Sequence, residues 1–144
     1  MKLLVYGGLA AVVLTAGLLV VLFFLPLPRD ERDGEVLLTL SKTELYRDER
    51  TLTYTIVNDS RYVVSFGEPY DIQIKKNGEW VSVEWMKDRV WILILYMLEP
   101  GQVFSRKVEL PQDVETGTYR LVKEVMVEAT GEKMVLTAEF EVVS

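Results

Sequence analysis

Beyond Gly34 the chain alternates apolar and polar residues with a period of two. Val36, Leu38 and Leu40 share one face of a predicted strand, with Leu37 and Thr39 on the other. Leu52, Tyr54 and Ile56 alternate with Thr51, Thr53 and Thr55. Near the end, Met134, Leu136, Ala138, Phe140 and Val142 alternate with Val135, Thr137, Glu139, Glu141 and Val143. A period of two places one side-chain set on the core and the other in water, the signature of half-buried strands. Thr, Val, Ile and Tyr, which suit a pleated surface, recur throughout.

Turn residues punctuate the pattern. Asn77-Gly78 tolerates positive φ at both positions and so predicts a two-residue hairpin turn. That turn sets a register: Lys76 faces Glu79, Ile74 faces Val81, Ile72 faces Val83 and Tyr70 faces Trp85. Trp80 then falls on the opposite face, across from Lys75, where it can stack on the lysine stem. Further turns are predicted at Asn58 to Arg61, Glu99 to Gln102, Glu115 to Gly117 and Thr130 to Glu132. Pro100-Gly101 suits a type II turn. Many short strands joined by such turns indicate a sandwich or barrel.

The first 28 residues read differently. Leu3 to Leu27 is an unbroken uncharged run of 25 residues. At about 1.5 Å per residue, a helix of that length crosses a hydrocarbon core of about 30 Å. Pro26 and Pro28 close it, and Arg29 to Gly34 forms a polar linker. The run is too long for a signal-peptide core, and Phe24 to Arg29 offers no small-residue cleavage site. The chain thus divides into an N-terminal transmembrane anchor (1–28), a linker (29–34) and a β-domain (35–144). Lys2 on one side and Arg29 and Arg32 on the other leave orientation undecided by charge.

Composition narrows the chemistry. The chain has no His and no Cys. Imidazole bases, thiol nucleophiles, disulfides and the usual zinc and haem ligands are therefore excluded. Residues 29–144 carry 22 acidic against 15 basic side chains, a net −7. Nucleic-acid binding needs clustered Lys and Arg, so it is not expected. Glu139 and Glu141 point outward from one predicted strand and do not converge as a carboxylate pair must. No calcium-loop spacing is present. The sequence implies no cofactor, no small-molecule substrate and no enzymatic activity. Asn58-Asp59-Ser60 matches the glycosylation pattern, a motif common by chance.

Several blocks in order resemble a known family: VLLTLSKTEL, LTYTIVNDS, SFGEPYDIQIKKNGEW, YMLEPGQ, GTYRLVKEV and TGEKMVLTAEFEV. They are similar to bacterial immunoglobulin-like domains of lipoproteins and other membrane-attached surface proteins, over about residues 35–143. The resemblance implies an all-β, immunoglobulin-like Greek-key sandwich of seven to nine strands, without catalytic residues. It also implies an extracytoplasmic domain on a single-pass anchor. Many relatives attach through a lipidated Cys, which this chain lacks. In the fold's terms Tyr119 resembles a tyrosine corner, its hydroxyl bonding nearby backbone. A looser resemblance is to the intracellular proteinase inhibitor family. It would make Phe66 to Pro69 or the Asn77-Gly78 tip a protease-docking loop.

One segment departs from the alternation. Val90 to Leu98 is nine apolar residues in succession. As a strand it places Ile92, Ile94 and Tyr96 on one face and Trp91, Leu93, Leu95 and Met97 on the other. With Trp85 and Met86 just before it, the second face is the candidate protein interface: Trp85, Met86, Trp91, Leu93, Leu95 and Met97. Two other fates are open to it, burial under a crossing loop and contact with lipid headgroups near the anchor. The functional expectation is a membrane-anchored module with a protein-binding or structural role.

Overall fold

Ten strands form between Glu35 and Val143 in the computed structural model, which describes residues 35–144. The predicted anchor and linker at 1–34 lie outside the described residues. The strands are β1 (Glu35–Leu40), β2 (Glu44–Tyr46), β3 (Thr51–Asp59), β4 (Val64–Phe66) and β5 (Asp71–Lys76). Then come β6 (Glu79–Ser82), β7 (Tyr96–Leu98), β8 (Val103–Glu109), β9 (Gly117–Val127) and β10 (Lys133–Val143). A 3-10 turn at Glu84–Met86 follows β6. Ten strands exceed the expected seven to nine. The excess comes from three-residue pieces, β2, β4 and β7, too short for alternation to reveal.

Two sheets make the sandwich. The smaller has the order β1-β3-β8 and the larger runs β2-β10-β9-β4-β7, with β5 also on β9 and β6 on β5. Strand β9 is the spine of the larger sheet. It pairs with β10 from Gly117 to Met126, while its other edge takes β5 at Tyr119–Val122 and β4 at Met126–Val127. The chain leaves the smaller sheet after β3 and returns only at β8, a Greek-key type of long return. Strands β1 and β2 join different sheets, β2 lying parallel to β10.

The alternation is realised as predicted. Leu52, Tyr54 and Ile56 of β3 are buried in one core with Ile72, Leu121 and Phe140 of the other sheet. Burying each such side chain contributes about 1.5–3 kcal/mol, before the cost of ordering the chain. The hairpin register is also as predicted: Lys76 pairs Glu79, Ile74 pairs Val81 and Lys75 pairs Trp80. Asn77 and Gly78 both have positive φ. The Lys75 ammonium stands 5.6 Å from the Trp80 ring, which Arg120 covers at 4.6 Å. The Val83 amide still bonds Ile72, at 3.0 Å, but the 3-10 turn then carries Trp85 out of register with Tyr70.

Candidate functional site

The segment after β6 begins by packing inward. Trp85 sits 6.2 Å from Tyr119, and its indole nitrogen is buried without a hydrogen-bond partner. Met86 is buried in the core. It therefore contributes packing rather than surface, which removes it from the candidate interface. Beyond the turn the chain does not enter a strand. Residues 89–95 are irregular, and only Tyr96–Leu98 pairs, with β4.

This corrects the two-faced strand expected of Val90 to Leu98. Trp91 turns toward the domain, its ring edge-on to Tyr70 at 5.0 Å. Arg89 caps both rings, 4.8 Å from Trp91 and 5.4 Å from Tyr70. Its neighbours go the other way. Leu93 is 96 % exposed, Ile92 69 % and Leu95 65 %, with Met97 at 52 %. Of the six candidate interface residues, Leu93, Leu95 and Met97 form surface. Trp91 and Trp85 are half-buried supports. Ile92 and Val90, assigned to no interface by the sequence, join the exposed set. A shallow open hollow of about 310 Å³ lies here, between Gly67, Pro69 and Ile92 to Leu95.

Beneath the segment is a polar knot that the sequence reading missed. Lys123 points into the core, only 1 % exposed. Its ammonium donates to the carbonyls of Gly67 and Pro69, the latter at 2.9 Å, and lies 5.2 Å from the Phe66 ring. Burial pushes its pKa down from the ordinary 10.5 to about 8, against the attraction of nearby Glu68. Tyr96 donates its hydroxyl to Glu68 at 2.5 Å, and that bond raises the phenol's pKa. Arg106 donates to both Glu68, at 2.7 Å, and the Tyr96 oxygen, at 2.8 Å. Its guanidinium lies 4.9 Å from Phe104. The Tyr54 hydroxyl is buried beside this group without a partner, and desolvation raises its pKa. The knot fixes the β4–β5 loop, and with it the floor under the apolar segment. A signal for Lys123 was present. It shares strand parity with Tyr119, Leu121 and Val125, all inward.

Asn58 is the second hidden organiser. It is wholly buried, and its amide donates to the carbonyls of Tyr62, at 2.8 Å, and Leu98, at 2.9 Å. Its side-chain oxygen accepts from the Ser60 amide at 3.0 Å and hydroxyl at 2.6 Å. Its own backbone bonds Gly101 and Gln102 of the predicted Pro100-Gly101 turn. An amide so engaged is closed to glycosylation in the folded domain. Tyr119 forms its corner as read, donating to the Glu115 carbonyl at 2.6 Å.

Little here resembles a reaction centre. Glu139 and Glu141 are both exposed on β10, with Glu141 accepting from Thr118 at 2.8 Å. Among the described residues, no cluster of three or more acidic side chains gathers as a metal site would need.

The sandwich with its tyrosine corner defines an immunoglobulin-like fold. The sequence profile of the bacterial Ig-like domain matches residues 33–141. The chain belongs to that family. No curated protein matches it. Among solved structures it is similar to PapD-like domain 7 of human CEP192, at 12 % identity and TM-score 0.42, covering 88 % of this chain and 94 % of that one. It is also similar to a FixG-related protein from Vibrio parahaemolyticus, at 12 % identity and TM-score 0.38, covering 76 % and 96 %. The E. coli chaperone DraB matches at 14 % identity and TM-score 0.40, covering 73 % and 52 %. At that distance these likenesses carry no argument about what the chain does.

Proposed function

We propose that the chain is a non-enzymatic Ig-like module held at a membrane by residues 1–28, with a binding or structural role outside the cytoplasm. The supporting observation is the apolar surface at Ile92, Leu93, Leu95 and Met97. A monomer in water rarely exposes so many large apolar side chains together, and such patches mark contact sites. The inhibitor reading has less behind it. Phe66 is buried, and the Gly67 and Pro69 carbonyls are tied to Lys123, so that loop cannot lie in a protease cleft. The Asn77-Gly78 tip is a two-residue turn without an apolar side chain to insert.

Fractionation of bacteria expressing the full chain tests the proposal. It should stay with the membranes through an alkaline carbonate wash. Protease added outside spheroplasts should remove the domain. A soluble product shortened at its N-terminus would replace the anchor with a cleaved leader.

A further inference from the structure

We infer that the Val90–Met97 segment docks on lipid, its apolar side chains entering the interface of the membrane that holds the chain's own N-terminal run. The inference rests on the anchor reading above.

Three observations point there. The first is where the apolar N-terminal run joins the domain. Eight residue steps separate Leu27 from Glu35, a tether of at most about 28 Å. The second is a hydrogen-bonded path from that junction to the segment. Val36 pairs with Asn58, and the Asn58 amide donates to Leu98, the last residue of the apolar run. Leu93 is five residues before Leu98, at most about 17 Å of chain. The distance from the start of β1 to the segment is therefore comparable to the tether's length.

The third is its chemistry. Aliphatic side chains stand outward on an irregular backbone, preceded by the exposed Lys87 and Arg89 and braced from the domain side by Trp91 and Tyr96. Exposed aliphatic tips with basic residues beside them suit an interfacial segment. The irregular backbone sets the depth. Its amides and carbonyls need water, so it stays at headgroup level while the side chains go deeper. The acidic balance of residues 29–144 makes apolar insertion, not charge attraction, the driving term.

The absence of Cys permits a direct test. Single variants L14C, L93C, L95C and Q112C of the full chain carry a fluorescent thiol label in phosphatidylcholine vesicles. Gln112 is exposed beside Tyr46 and Ser144, at the far end of the sandwich. Labels at 93 and 95 should be quenched by lipid-borne spin labels several-fold more than the label at 112, and should be shielded from aqueous iodide. Lipid quenching at 14 with iodide quenching at 93 and 95 overturns the inference and leaves the anchor. Iodide quenching at 14 as well overturns the anchor, and the inference falls with it. Shielding of 93 and 95 from both quenchers means a protein contact, a second copy or another chain, and also overturns lipid docking.

Discussion

Lys123 shows how much one side chain can weigh. Its ammonium is charged in both folded and unfolded chains below pH 8, so neutral pH carries the full cost of burying it. Between pH 8 and 10.5 the folded form is neutral while the unfolded form still holds its proton. Stability attributable to this group therefore rises across that window, by up to about 3 kcal/mol. Tyr119 works the other way. Desolvation pushes its pKa up to about 12 from 10, so its contribution is complete below pH 10 and is lost as pH climbs through 12. Tyr54 shifts in the same direction. Urea unfolding should show stability rising from pH 7.5 to a maximum near pH 10. K123M should remove the rise, and a variant that still shows it would clear Lys123 of the effect. The knot itself was not legible as a site. Lys123, Glu68, Tyr96 and Arg106 lie on four separate stretches of sequence, and only strand pairing brings them together.

At the scale of elements, what could be read depended on how local the cause was. The Asn77-Gly78 hairpin was legible to the residue because two neighbouring backbone angles set its register. So were β3 and β10, whose alternation runs through nine and eleven residues. The parallel pairing of β2 with β10 was not, since three residues carry no period and their partner is nearly a hundred positions away. The Val90–Leu95 stretch was read as a strand from its composition. In the fold it is irregular, and Trp91 packs on Tyr70 and Arg89 where a ladder had been expected. Asn58 ties such elements together, joining the end of β3 to β7 and to the Pro100-Gly101 turn. N58D keeps the shape but loses both amide donors and sets a carboxylate against two carbonyls. It should cost about 3–5 kcal/mol in denaturant unfolding at pH 7, whereas a loss under about 1 kcal/mol would show that the network bears little load.

For the molecule as a whole, the apolar segment divides folding from contact. Leu93 and Leu95 are exposed, so L93S/L95S should leave the unfolding free energy within about 0.5 kcal/mol of the parent. W91A removes a ring packed on Tyr70 and should cost about 2–4 kcal/mol. If the double serine variant were as unstable as W91A, the segment would belong to the core and its role as a contact surface would fail.

The first strands also set how the domain bears a load. Glu35 lies at the end of the sandwich where Asn58 meets Leu98, while Val143 closes the opposite end. Tension between those points runs along β1 and along the parallel β2–β10 ladder. The hydrogen bonds of each ladder are then strained together in shear instead of parting one at a time like a zip. The twelve residues from Glu35 to Tyr46, which bridge both sheets, are thus placed to be loaded in shear when the domain is stretched along its length.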